Sequence, residues 1–460
     1  MRKLPEKFIE IMRPLAGDAL IDALENGEPK RGLRVNTLRL TVDEFMKISP
    51  FKLEQSPLCK DSFIISMDDP AGIHPFHDAG LYYLQEPSAS SVGQAAGAVP
   101  GMRVLDLCAA PGGKSTHVAA KLQGEGILVS NECVSSRVKP LRSNLERMGV
   151  RNCAVTSMMP YDLSKYFTES FDLVLTDAPC SGEGMYRREE NALTEWTYEH
   201  ALSCADRQSS ILEDAAAMTA PGGALVYSTC TLNVYENEMV IDKFLTAHPE
   251  FEMVEIEHLK DYPAKPEWCG AAHNEIRLAA RLMPHIVPGE GHFVAKMRKT
   301  DSVQEISKEK ARSHRQQSRK ERLRPLTKDE NALFNSFWKD NFTAEPWYEP
   351  VVYLDNVYLI APEVRDMTIA AAQGVHIGTF KTKRFEPTHS LYMAADPKTV
   401  LRSMELDEET YKLYISGREI PCGENGWCAV TINGYIIGYG KASGGMLKNK
   451  YPTGLRKVIN

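Results

Sequence analysis

Five short apolar runs, separated by helical stretches, decide what the middle of this 460-residue chain can fold into. They are Arg103-Val104-Leu105-Asp106-Leu107, Ile127-Leu128-Val129-Ser130-Asn131, Ala154-Val155-Thr156, Phe171-Asp172-Leu173-Val174-Leu175-Thr176 and Ala224-Leu225-Val226-Tyr227-Ser228. Helical periodicity fills the gaps at 115–122, 136–148, 203–218 and 236–247. Strands joined by helical crossovers make a parallel, doubly wound sheet, and such sheets bind ligands outside the carboxyl ends of their strands. Functional residues should therefore follow the strands.

Three motifs do. After the first strand comes Asp106-Leu107-Cys108-Ala109-Ala110-Pro111-Gly112-Gly113-Lys114-Ser115, whose small residues let backbone approach a nucleotide closely. It is neither a GxGxxG fingerprint nor a Walker A loop. The second strand ends in Asn131-Glu132, and an acid there can accept both ribose hydroxyls of an adenosine moiety. A close loop plus a ribose acid, without a phosphate pattern, fits S-adenosylmethionine. A Gly-rich strand–helix turn that holds nothing has the same local sequence. After the fourth strand comes Asp177-Ala178-Pro179-Cys180-Ser181-Gly182, and after the fifth Ser228-Thr229-Cys230-Thr231. An isolated cysteine is usually a buried small hydrophobe. Two at equivalent strand ends, one behind a proline that fixes the backbone, are a different matter.

The ten cysteines, at 59, 108, 133, 153, 180, 204, 230, 269, 422 and 428, form no CxxC pair. That spacing argues against a disulfide framework and against structural zinc, and the lone HxxH of His74 and His77 suggests no metal either. The charged start, Met1-Arg2-Lys3-Leu4-Pro5-Glu6-Lys7, lacks the apolar core of a signal peptide, and no run is long enough to span a membrane. A cytoplasmic protein is expected. Net charge is −7, yet residues 296–328 hold twelve Lys/Arg against four Asp/Glu, and residues 431–460 hold five basic groups and no acid. A basic tract and tail on an acidic body is the pattern of a phosphate-backbone binder. A solvated linker has the same composition.

Around the sheet the sequence predicts short helices between Pro5 and Leu24, a strand over Arg34–Arg39, a helix over 42–48 capped by Thr41, and a strand at 63–65. Residues 300 to about 325 are almost free of apolar side chains. Trp338, Phe342, Trp347, Tyr348 and Tyr353 then restart a core, and Trp427–Thr431 with Tyr435–Gly440 suggests a small β-rich module. The basic tract is expected to separate independent cores.

The combination Asp106…Lys114, Asp177-Ala178-Pro179-Cys180-Ser181-Gly182 and Ser228-Thr229-Cys230-Thr231 resembles the RNA 5-methylcytosine methyltransferases of the Nol1/Nop2/Sun family. Arg34-Val35-Asn36-Thr37, Gln85-Glu86-Pro87-Ser88, Arg281-Leu282-Met283-Pro284-His285 and Gly291-His292-Phe293 extend the likeness over residues 5–299. The tail Gly440-Lys441…Leu447-Lys448-Asn449-Lys450-Tyr451-Pro452 is similar to the PUA-like module of the bacterial 16S rRNA branch. One position departs: where the family places an acid or polar group near the adenine, this chain has Met159, leaving Ser157, backbone or Asp162 for that contact.

The resemblance implies a Rossmann-like class I methyltransferase core of α/β class, with a small α+β amino-terminal domain and a β-containing, PUA-like carboxyl-terminal region. The implied division is 1–78 (RNA-binding segment), 79–299 (methyltransferase core), 300–328 (basic linker), 329–395 (intermediate domain) and 396–460 (PUA-like RNA-binding module). It implies transfer of a methyl group from S-adenosylmethionine to cytosine C5 in RNA, with 16S rRNA or the 30S subunit as expected partner and the protein a monomer. The same chemistry on tRNA, or a catalytically silent RNA-binding ribosome-assembly factor, stays open. Cys230 is implied to attack C6 and Cys180 to assist release. Asp177 would hold the cytosine N3/N4 edge, and Lys114 would orient Asp177 or serve forming charge. Cys108, Ala109, Ala110, Pro111, Gly112, Gly113, Lys114, Glu132 and Asp177 are implied for the cofactor.

Overall fold

The structure is a computed structural model that describes residues 2–300, 323–365 and 372–457. Most of the basic tract therefore lies outside the described residues. The chain opens with α1 (Glu6–Ala16) and α2 (Asp18–Asn26), whose buried Phe8, Met12, Leu20, Ile21 and Leu24 pack on Tyr186 and Trp196. A four-stranded sheet follows: β1 (Arg31–Val35), β2 (Glu54–Gln55), β3 (Ser62–Ile65) and β4 (Tyr82–Leu84), in the order β2-β3-β1-β4. Between β1 and β2, α3 (Val42–Ile48) starts at Thr41 through a full capping box with Glu44. The strand expected over 34–39 stops at Val35. The Asn36 side chain donates to the carbonyls of Gly80 and Met148 and accepts from Leu38 N–H, which turns the chain away from the sheet. Two short helices, α4 (Pro75–Asp78) and α5 (Pro87–Ala96), flank β4.

The five predicted strands form a parallel core. They are β5 (Arg103–Asp106), β6 (Ile127–Asn131), β7 (Cys153–Thr156), β8 (Phe171–Asp177) and β9 (Thr219–Thr229), in the spatial order β9-β8-β5-β6-β7. Beyond β9 the edge turns antiparallel with β10 (Phe251–Met253), β11 (Ala280–Leu282) and β12 (His292–Lys299). The connecting helices are α6 (Gly113–Leu122), α7 (Ser135–Arg147), α8 (Pro160–Ser164), α9 (Glu190–Thr194), α10 (Tyr198–Met218) and α11 (Glu238–Ala247). Helix α10 begins five residues earlier than the periodicity suggests because Thr197 caps it, accepting from His200 N–H.

Alternation along the strands explains the two faces. Leu105, Val129, Val174 and Leu225 bury against Ile211, Leu212 and Ala215 of α10 and Ile241 of α11. Val104, Leu128, Leu173 and Val226 bury on the other side against Val92 of α5, Val118 of α6 and Leu141 of α7. Each side chain removed from water contributes about 1.5–3 kcal/mol, so a sheet apolar on both faces must be covered on both.

The carboxyl-terminal region adds two five-stranded sheets, drawn from residues 323–387 and 403–449. It does not stand apart as expected. Ala372 and Gln373 pair with β7 and extend the central sheet. Val351, Ile360, Ala361 and Val364 join the apolar cluster of β6 and β8, and Leu406, Tyr411, Tyr414 and Val430 share a cluster with Leu33 and Phe63 of the amino-terminal sheet and Phe45 of α3. No helix among the described residues is long and apolar enough to cross a membrane.

Candidate active site

The strand order sets the site. Because β8 and β9 are neighbours in register, with Asp177 opposite Ser228, the segments that follow them emerge side by side. Cys180 and Cys230, three and one residues past the strand ends, bring their sulfur atoms to 3.3 Å, and both are free thiols. The hydrogen bond to Cys230 comes first, burial second, and the negative groups Glu236 and Asp177 further, in pushing the Cys180 thiol well above the ordinary cysteine range. Cys180 thus keeps its proton and can donate it to the sulfur of Cys230.

Next to the sulfurs, Lys114 Nζ lies 2.6 Å from Asp177 Oδ2, and Ser228 Oγ donates to Asp177 Oδ1 at 2.8 Å. Burial alone would discharge both members of this pair. The Lys114 charge, with help from His292 and the Ser228 hydroxyl, nevertheless holds Asp177 below the ordinary carboxylate value. Asp177 in turn holds Lys114 above the ordinary lysine value despite burial.

The loop after β5 is pinned from behind along its backbone. Arg137 Nη2 donates to Ala110 O at 2.9 Å, Asn144 Nδ2 to Pro111 O at 2.9 Å and Arg34 Nη1 to Gly113 O at 2.7 Å, while Ala109 N–H donates to Asn131 O at 2.8 Å. Gly112 sits at φ 110°, where a side chain is strained, and no side chain caps the first turn of α6. The Cys108 thiol is driven well up by burial and the acids around it, which makes it inert.

Asp106, at the end of β5, is fully buried. Its Oδ2 accepts from Ser115 Oγ at 2.6 Å, but Oδ1 has no partner. Burial pushes its carboxyl up to about 7. Glu132 follows β6 as predicted, buried, with Oε1 accepting Val134 N–H at 2.8 Å and Oε2 3.4 Å from Arg137 Nη1. A buried acid with an orphaned oxygen, a second acid one strand over and an uncapped helix start fit the amine, ribose and main-chain contacts that S-adenosylmethionine needs. Met159 is exposed at the N-terminus of α8, and Asp162 is paired with Lys165 at 2.8 Å. His74 spends its Nδ1 capping α4. Among the described residues, no cluster of three or more His, Cys, Asp or Glu could hold a metal.

Two residues acquire a place here that no local pattern announced. Arg34 is fully buried, and besides Gly113 it reaches Thr116 Oγ1 at 2.8 Å and Gln85, so the amino-terminal sheet grips the start of α6. His292 opens β12. Since Phe293 pairs with Thr229 in antiparallel register, His292 falls opposite Cys230. Its Nδ1 lies 3.1 Å from Ser88 Oγ, and Ser88 gives its single hydroxyl hydrogen to Glu86. Nδ1 therefore carries the ring proton. Burial first, then Lys114, lowers His292 to about 4, so it is neutral at pH 7. Both residues lie in segments that carried the family resemblance, which was the one signal available for them.

Known proteins match this arrangement along the chain. A family model described as 16S rRNA methyltransferase RsmB/F matches residues 97–298, the N-terminal domain of 16S rRNA methyltransferase RsmF matches residues 4–87, and the methyltransferase RsmF PUA domain matches residues 401–457. Ribosomal RNA small subunit methyltransferase F of Vibrio vulnificus is 32% identical over 99% of this chain and 98% of its own length, and that of Vibrio atlanticus is 33% identical with the same coverage. A crystal structure of a methyltransferase homolog protein from Pyrococcus horikoshii superposes with TM-score 0.57 at 31% identity, over 64% of this chain and 95% of its own. Matched along nearly its whole length, the chain belongs to the RsmB/F family and is an S-adenosylmethionine-dependent RNA methyltransferase.

Proposed function

We propose that the protein methylates C5 of a cytosine in 16S rRNA through a covalent bond between Cys230 and C6 of the base. The observation that carries this reading is the 3.3 Å contact of two free thiols beside the Lys114–Asp177 pair. A simple methyl transfer to an oxygen or exocyclic nitrogen has no use for two sulfurs.

Cytosine C5 is a weak nucleophile within its ring. Addition of the Cys230 sulfur to C6 breaks the conjugation and makes C5 enamine-like. As sulfur adds, N3 of the base takes up a proton, and Asp177, already anchored by Lys114 and Ser228, accepts hydrogen bonds from the N3–H and N4–H edge. When bound, S-adenosylmethionine supplies an electrophilic methyl group on its sulfonium. The 5-proton then passes to the Cys180 sulfur as that thiol gives its own proton to the departing Cys230 sulfur, so that Cys180 ends as it began. The C6–S electron pair returns to Cys230, and N3 gives back its proton. A duplex hides C6, so the target cytosine must be unpaired or flipped out. The basic stretches would add affinity for phosphate without regard to sequence.

The two cysteines are separable by experiment. Cys230→Ala should abolish methylation and form no covalent RNA species. Cys180→Ala should still attack and methylate but stall at elimination, leaving a nuclease-sensitive, cofactor-dependent band on a denaturing gel that the double variant lacks. A band from Cys230→Ala instead would exchange the roles, and full activity in both variants would end the proposal. Bisulfite sequencing of rRNA and tRNA from a deletion strain separates 16S rRNA from tRNA as the substrate.

A further inference from the structure

The residues that follow the two cysteines are tied to each other, and then to a pair of acids beneath them. Ser181 Oγ and Thr231 Oγ1 lie 2.9 Å apart. Glu236 takes hydrogen bonds from both segments: its Oε1 accepts Ser181 N–H at 2.9 Å and Gln208 Nε2 at 2.8 Å, and its Oε2 accepts the Ser181 hydroxyl, Asn233 Nδ2 at 2.6 Å and Thr231 Oγ1 at 3.4 Å. Asn233 Nδ2 also reaches Glu183 Oε1 at 2.8 Å, while Glu183 Oε2 accepts the N–H groups of Leu232 at 2.8 Å and Asn233 at 2.7 Å. Gln208 holds Pro179 O at 2.9 Å. The backbone on both sides of Cys180, and the three residues after Cys230, are thus gripped by one buried network. Glu183 and Glu236 are both 0% exposed.

Two buried carboxylates are a poor way merely to stabilise a fold, since apolar side chains of similar shape usually serve as well or better. Carboxylates do offer what apolar side chains cannot: directional acceptors, and a negative charge next to a thiol. We propose that Glu236, acting with Asn233 and Glu183, is the positioning device that sets the sulfur–sulfur contact of Cys180 and Cys230. The inference rests on the cysteine mechanism above for its catalytic meaning, but the contact itself is independent of that reading. The groups that bear on Cys180 are Cys230, Glu236 and Asp177, the last already paired with Lys114. Of the two acids, Glu236 is the one that bears on the Cys180 thiol, while burial, then Glu236, raises Glu183.

Two variants separate charge from reach. Glu236→Gln keeps the shape but removes the charge. It should lower kcat at least tenfold, leave KM for RNA and S-adenosylmethionine within about twofold, and move the pH optimum of kcat downward because Cys180 ionises more readily. Glu236→Asp keeps the charge but shortens the reach. It should lower kcat while leaving the pH profile where it was.

A readout without turnover tests the geometry. Diamide takes two hydrogen atoms, one from each thiol, and becomes the hydrazine as the Cys180–Cys230 disulfide forms. Peptide mapping should show that bond quickly in the intact protein and at least tenfold more slowly in Glu236→Asp, whose shorter reach loosens the sulfur–sulfur contact while the charge is kept. If Glu236→Asp will not fold, Gln208→Met removes one donor and the Pro179 tie, and should slow the disulfide about threefold. A Glu236 variant with unchanged pH profile and unchanged disulfide rate, altered only in melting temperature, would overturn the inference. If Cys180→Ala traps no RNA while the disulfide rate still depends on Glu236, the mechanism falls and the positioning role stands.

Discussion

Glu132 shows how one residue can be legible in sequence and still acquire unexpected obligations in the fold. Its place after β6 follows from the strand pattern, yet one oxygen already serves Val134 N–H and the other faces Arg137. Alanine would disturb that turn, so the informative change is Glu132→Gln, which keeps the shape and weakens acceptance from a ribose. Hydrogen bonds to a charged group contribute ~1.5–3 kcal/mol each. S-adenosylmethionine affinity measured by calorimetry should therefore fall at least tenfold, with melting unchanged. Unchanged affinity would move the cofactor away from β6. The cysteines were legible by the same logic, since each follows a strand. Their contact was not, because it depends on β8 and β9 being neighbours, which no local pattern states. His292 is further from reach still: its position opposite Cys230 comes from an antiparallel strand that enters the sheet some 60 residues later in the chain.

Among the elements, the loop between β5 and α6 depends most on backbone conformation. A Cβ on Gly112 would sit 3.2 Å from Leu141 Cδ1 of α7, in addition to the strain of φ 110°. Left-handed backbone costs about 1–2 kcal/mol for a residue with a side chain. Gly112→Ala should thus lower the melting temperature by a few degrees and weaken S-adenosylmethionine binding at least fivefold. Gly101, at φ 90° with open space around it, is the control: Gly101→Ala should lose similar stability and no affinity. Equal affinity loss in both would mean that strain, not the loop, is being measured. Core helices and strands were readable because their apolar periods are strong. The strand expected over 34–39 ends at Val35 because Asn36 spends its side chain on tertiary partners, and helix α10 starts ahead of its apolar period because the Thr197 cap decides where it begins.

Over the whole molecule, the regions on either side of the basic tract share their cores. Truncation after Lys299 removes the strand paired with β7 and apolar groups from two clusters. Several kcal/mol of burial at stake should lower the melting temperature by about 10 °C. RNA affinity should fall, and its dependence on salt should flatten as phosphate contacts are lost. A truncated protein as stable as the full chain would show that the shared clusters contribute little.

Acid stability follows from histidines buried without charge. Burial lowers His292 and His389 to about 4 and His117 to about 3, against roughly 6.5 in an unfolded chain. Below pH ~6.5 the unfolded state takes protons that the folded state refuses, so stability is present above that pH and is lost as pH falls toward 4. Asp106, raised to about 7, works in the opposite sense over the same range and leaves these three histidines a net excess of two groups. Melting temperature should therefore drop between pH 7 and pH 5, and His389→Leu should flatten the slope these four groups set by about half. A flat profile in the intact protein would refute the assignment.

The sequence by itself determined the parallel sheet and the places of the small-residue loop after β5 and of the candidate catalytic cysteines, because each is written in a local period or in residues that must follow a strand. Tertiary structure decided which strand ends meet, how Arg34 of one sheet holds the loop that opens α6 in another, and how Glu236 draws two loops 50 residues apart onto one carboxylate. It also joined the carboxyl-terminal region to the rest of the molecule. Those outcomes depend on hydrogen bonds and burial between residues far apart in the chain, and nothing in the spacing of either partner records the other.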